Sequence, residues 1–159
     1  MKKFELTSET KINIFGKKLF RIKALVSFGV VKTGETGGWV EKEENVNQSG
    51  DAWVFDNAEV FDNARVFGNA EVSDNAWVSG NAEVSDNADY ATIHGFGTQF
   101  RTTTFFRCKD KQVKVSCGCF YGTIPEFCEQ VKNTRKGKIA EEYLMIADLM
   151  EKHFAEEAK

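Results

Sequence analysis

The side chains best suited to chemistry gather in the last third of the chain. His94 stands immediately before Gly95-Phe96-Gly97-Thr98-Gln99-Phe100-Arg101-Thr102-Thr103-Thr104. Gly95 and Gly97 leave backbone amides accessible, the hydroxyls of Thr98, Thr102 and Thr103 donate, and Arg101 can fork onto a carboxylate or a phosphate. That set fits a loop holding a small anionic ligand, a nucleotide for example. It also fits a plain strand whose threonines are there for β propensity. A general base would have to be His94, since the other histidine, His153, falls among acidic residues near the C-terminus and reads as a solvated surface group. No companion carboxylate or long coenzyme-binding run accompanies His94, so no catalytic set is assigned and His94 stays a lone candidate.

The cysteines suggest no metal. Cys117-Gly118-Cys119 lacks the spacing of a zinc knuckle, and neither Cys108 nor Cys128 supplies a second pair. On one strand Cys117 and Cys119 would share a face and fill a core beneath the C-terminal helices. The four read as reduced thiols, and no cofactor is expected.

These residues depend on a repeat for their position. Val54, Val60, Val66, Val72, Val78 and Val84 recur at a fixed hexad spacing, beside a column of alanines from Ala52 to Ala88 and a column of asparagines from Asn57 to Asn87. Each asparagine follows Asp or Gly. The alternation Ala-x-Val-x followed by an Asp-Asn or Gly-Asn corner implies apolar residues inside and a left-handed backbone at the corners. Three hexads make one coil, and coils stack at the spacing of hydrogen-bonded strands. The expected fold is mainly β: a short left-handed parallel β-helix over residues 46–94, an N-terminal β-hairpin cap over 1–45, and a β-hairpin plus two-helix cap over 95–159. Alternation in Lys11–Ile14 and Phe20–Ala24 marks the first hairpin. Strands at 100–106 and 113–119 mark the second, and Thr123-Ile124-Pro125-Glu126 opens a capped helix.

Stacking one coil on the next sets Phe55, Phe61 and Phe67 over Ser73, Ser79 and Ser85, with Trp53 and Trp77 beside them. A bare girdle of three Phe and two Trp is more apolar surface than a soluble monomer exposes. Two covers are open: the N-terminal hairpin folding back, or a subunit interface, for which a homotrimer around the coil axes is the expected form.

The remaining composition narrows the setting. With 21 basic and 24 acidic residues spread along 159, no charge block points to bulk nucleic acid. No apolar window approaches a membrane span or a signal sequence, so a cytoplasmic protein is expected. Fourteen phenylalanines and one proline argue for an ordered chain.

Several strings resemble a family of phage- and prophage-encoded hexapeptide-repeat proteins, often called putative transferases. They are Phe4-Glu5-Leu6-Thr7 with Glu9-Thr10-Lys11, Arg21-Ile22-Lys23-Ala24-Leu25, GGWVEKEENVN at 37–47, the repeat itself, and TTTFFRCKD with VSCGCFYGTIPEF at 102–127. The resemblance implies a small accessory protein of a mobile element acting in the host cytosol. The expected function is non-enzymatic: an oligomeric binding module that sequesters a nucleotide-like defence signal or occludes a host defence protein. The alternative is an acyl- or acetyltransferase working through His94.

Overall fold

The structure, a computed structural model, describes residues 2–99 and 101–155, and of Ala88 the backbone alone. Phe100, expected to open a strand, and the Ala88 methyl at the end of its column lie outside the described residues.

Alternation at the N-terminus gives β1 (Phe4–Ile12) and β2 (Lys18–Ala24), paired antiparallel with a bulge between Leu6 and Thr10. The turn between them is held by the Asn13 side-chain oxygen, which accepts from the amides of Phe15 and Lys17. Strand β3 (Thr36–Val40) lies antiparallel to β2 and then runs parallel to the repeat. The repeat supplies six short strands: β4 (Trp53–Val54), β5 (Glu59–Val60), β6 (Arg65–Val66), β7 (Glu71–Val72), β8 (Trp77–Val78) and β9 (Glu83–Val84). Val54 pairs with Val72, Val60 with Val78 and Val66 with Val84, each valine meeting the one three hexads further on.

The expectation of a left-handed parallel β-helix with caps is corrected here. The chain is mainly β with several small sheets of mixed and antiparallel strands and two helices, and no single left-handed parallel β-helix organises it. Corners explain why. Each hexad gives only a short stretch to a ladder and the rest to a turn, so the parallel pairings are short and fall in three separate sheets. One of these is continuous with antiparallel β1, β2 and β3, in the order β1-β2-β3-β5-β8. The corner conformation also sits one position earlier than the asparagines. Positive φ falls on Asp56, Asp62, Gly68, Asp74 and Gly80.

The inward columns form the core as their spacing implies. Ala52 through Ala82 and Val54 through Val84 are buried together with Phe4, Ile22, Val40 and Phe106. Removing one such valine from water contributes roughly 1.5–3 kcal/mol before ordering costs. Two buried polar groups complete this end. Asn45 accepts from the amides of Glu41 and Lys42 and donates to the carbonyls of Asp62 and Ala64. Lys3 donates to the carbonyls of Gly50 and Ala52.

Where the hexad period stops, the chain forms a four-stranded antiparallel sheet rather than the expected hairpin: β10 (Tyr90–Phe96), β11 (Arg101–Arg107), β12 (Val113–Cys117) and β13 (Phe120–Thr123). Strand β10 runs across the expected boundary at 94. Thr123 then caps α1 (Ile124–Thr134), its hydroxyl accepting from the Glu126 amide while the Glu126 carboxylate accepts from the Thr123 amide. Helix α2 (Gly137–Phe154) packs its Tyr143, Ala147, Met150 and Phe154 face with Phe105, Val115 and Phe127 in a second core. No helix of the described residues is long and apolar enough to cross a membrane.

Candidate functional site

Strands β10 and β11 place the residues from 94 to 103. Their register pairs Tyr90 with Phe106, Ile93 with Thr103 and His94 with Thr102, then slips at Gly95 so that Phe96 meets Arg101. Gly95 (φ +98°) makes the slip and Gly97 (φ +79°) lies in the turn that follows; both φ values lie in the region glycine tolerates best. Alternation then sorts the threonines. Thr103 is buried and donates to Cys117 Sγ at 3.1 Å, and Thr104 is buried and accepts from the Trp77 amide. Of the expected ligand residues, Gly97, Thr98 and Arg101 therefore meet at one cavity, and Thr102 lines a neighbouring cleft. Gly95 and Thr103 line neither.

The cavity, about 270 Å³, lies where the β10–β11 turn, the β12–β13 turn and the two helices converge. Two arginines line it, Arg101 from the sheet and Arg135 just past the C-terminal end of α1, both exposed, and no carboxylate is among its described lining residues. The Arg101 Nε and Nη2 both donate to Gln99 Oε1, at 3.2 and 2.6 Å, which fixes the plane of the fork. Tyr143, 5% exposed, closes the inner wall, and burial pushes its phenol pKa up. It therefore stays protonated at neutral pH and is able to donate. A cavity lined by two positive side chains and a neutral donor, with no carboxylate among its described lining residues, favours an anion. Gln130, Arg135 and Tyr143 were outside the sequence-based set. The available signal was a basic residue just past the helix end, which reads equally well as a solvated C-cap.

Across Arg101 lies a wider cleft of about 660 Å³ between the first hairpin, the repeat and the end of the antiparallel sheet. Gln99, Arg101 and Cys119 line both spaces. His94 faces this cleft, its Nδ1 3.1 Å from the Thr102 hydroxyl. The carboxylate in the cleft, Glu59, is buried and already held by Lys11 at 2.9 Å and by the Asn13 amide at 3.2 Å. His94 and a carboxylate thus share a space, but the imidazole bonds to a hydroxyl.

The aromatic girdle is covered largely from within. Trp53, 1% exposed, is packed edge-on by Phe4 and Phe28. Phe61, 2% exposed, lies under Phe15 beside Leu19 and Trp39. Phe55 packs partly buried against the repeat core, Phe67 lies beneath the Arg65 guanidinium, and Trp77 is half-buried beside Phe15. The cysteines separate as well. Strand β12 ends at Cys117, which packs into the helical core, and the turn at Gly118 leaves Cys119 exposed, so the two do not share a buried face. No protein-family model matches this chain, and no match is found among the curated proteins compared with it.

Proposed function

We propose that this chain is a binding protein for a small anionic ligand, held in the cavity between the antiparallel sheet and the helix pair. The observation that carries the reading is the lining of that cavity: Arg101 and Arg135 line it from separate elements, with no carboxylate among the described lining residues. Two positive side chains lining one partly enclosed space attract an anion. A phosphate or carboxylate held there accepts from Arg101, Arg135, the Tyr143 hydroxyl and Thr98. Together with the resemblance to phage-encoded proteins, this supports a cytoplasmic accessory protein that sequesters a phosphorylated, nucleotide-like defence signal in its host. The binding form is a homo-oligomer, with Phe55 and Phe67 the girdle residues left to meet a second copy. The transferase reading draws less support, because the Glu59 carboxylate nearest in kind to a partner for His94 is tied to Lys11 and Asn13.

Calorimetric titration with inorganic phosphate and pyrophosphate tests the reading. Binding should be saturable and weaken with salt, and Arg101→Gln and Arg135→Gln should each reduce affinity by about ten- to a hundredfold, the loss of one charge-assisted hydrogen-bonded contact. Titrations that stay flat with both anions, or variants that bind as tightly as the parent, would sink it. Native mass spectrometry of the same samples reports the subunit count.

A further inference from the structure

The cavity and the cleft meet at Arg101, and they differ in chemistry. The cavity offers cations and a phenol. The cleft, more than twice as large, offers the flank of Trp77, the exposed side chains of Asn57 and Asn75 at stacked corners, and the imidazole of His94. Asn57 and Asn75 stand three hexads apart, and the Asn57 backbone N–H donates to the carbonyl of Asp74, so stacking holds both corners at one edge of the cleft. The Trp77 backbone amide donates to Thr104, and its indole packs edge-on with Phe15 at 5.8 Å. An indole beside two primary amides suits a flat heterocycle that carries donors and acceptors on its rim.

We infer that the cleft is a base-binding subsite, and that the ligand is a nucleotide whose phosphate sits in the cavity and whose base lies in the cleft against Trp77. Arg101, which lines both spaces, stands at the junction of base and phosphate. Asn57 and Asn75 read the base edge, since each side-chain amide offers both a donor and an acceptor. His94 and Thr102, 3.1 Å apart, face the sugar between them. The inference rests on the anion-binding reading of the cavity and adds to it a place and a chemistry for the rest of the ligand.

Titration of the full chain with the four ribonucleoside monophosphates, the matching nucleosides and inorganic phosphate tests both layers, read by calorimetry and by tryptophan fluorescence. Trp39 and Trp53 are buried, so stacking in the cleft reports mainly through Trp77. At least one nucleotide should bind about tenfold or more tightly than phosphate and quench the fluorescence. Trp77→Leu should remove that advantage while leaving phosphate affinity unchanged. If Trp77→Leu does not fold, the exposed pair Asn57→Ala and Asn75→Ala gives the same readout, a loss confined to nucleotide. Phosphate binding with no nucleotide tighter than phosphate overturns the base subsite and leaves the anion site standing. No binding of any probe overturns both.

Discussion

Gly118 lies against the Arg101 guanidinium so closely that a Cβ at Gly118 would overlap Nη1 of Arg101. The glycine also has φ +57°, a conformation that costs a side-chain-bearing residue about 1 kcal/mol. Gly118→Ala should therefore do two things: lower stability slightly and displace Arg101 from the cavity, weakening phosphate binding about tenfold. Gly95→Ala is the matched control. It meets the same kind of backbone strain at φ +98°, but nothing lies within 4 Å of the added methyl. Calorimetry on the two variants should show a loss of affinity in Gly118→Ala alone, and equal affinities would mean that the position of Arg101 is immaterial.

The corners of the repeat carry a second asymmetry. Asp74 and Gly80 adopt nearly the same backbone, φ +60° and +63°, yet a Cβ at Gly80 would run into the Tyr121 hydroxyl. Asp74 already carries its side chain at the equivalent corner. Gly80→Asp, although it installs the residue found at other corners, should cost about 2 kcal/mol or more and lower the urea midpoint. Asp74→Gly should change stability by less than about 1 kcal/mol, because relieved strain and added chain freedom oppose each other. Similar midpoints for the two variants would contradict the packing of β13 on this corner.

The repeat was legible because its information is local and periodic. Valine and alanine columns at period six place the core, and the stacking of Val54 on Val72 follows from the same count. What joins the repeat to its surroundings is not periodic. The antiparallel strands enter through β3, where Trp39 pairs with Glu59, out of step with the three-hexad spacing that governs the rest of the ladder. Asn45 and Lys3 read as polar surface and are buried only because they satisfy carbonyls distant in sequence, those of Ala64 and Ala52. Half of the candidate site was visible as a glycine, threonine and arginine string. Arg135 and Tyr143 come from the far end of α1 and from α2, and only tertiary packing brings them to Arg101. The cover of the girdle was visible as one of two possibilities, and the side-chain contacts of Phe4, Phe15 and Phe28 show how much of it the chain supplies itself.

Lys3 gives the fold a pH dependence of unusual sign. Its residue is 3% exposed, and desolvation lowers its pKa to about 8 from 10.5, opposed in part by the Asp51 carboxylate. Between these values the unfolded chain holds the proton more tightly than the folded one, so stability rises as pH climbs above about 8. Cys108 acts in the opposite direction. Burial holds its thiol protonated to about 12, against 9.0 when exposed, so the folded chain keeps a proton that the unfolded chain loses and stability falls above about 9. The urea midpoint should rise between about pH 7.5 and pH 9 and then turn down, because burial raises the thiol pKa of both Cys108 and Cys128 and the two together outweigh the one lysine. Lys3→Met should abolish the rise and leave the alkaline decline, whereas a rise that survives in Lys3→Met would assign it to another group.

The same burial ranks the thiols by reactivity, because the thiolate is the nucleophile and must be reached. Cys119 is exposed in the turn at the mouth of the anion cavity. Cys117 is half-buried and accepts the Thr103 hydroxyl, and burial raises the pKa of Cys128. Cys108 is 2% exposed with its pKa pushed up to about 12. Brief iodoacetamide treatment of the native chain at about pH 8, followed by peptide mass spectrometry, should modify Cys119 first and Cys108 last. Pyrophosphate should slow labelling of Cys119 in the parent chain and have no effect in Arg101→Gln, because the anion must be held by Arg101 to stand in the approach to that sulfur. Labelling of Cys108 at the rate of Cys119 would show that the repeat core opens on the timescale of the reaction. Protection of Cys119 that persists in Arg101→Gln would place the anion elsewhere.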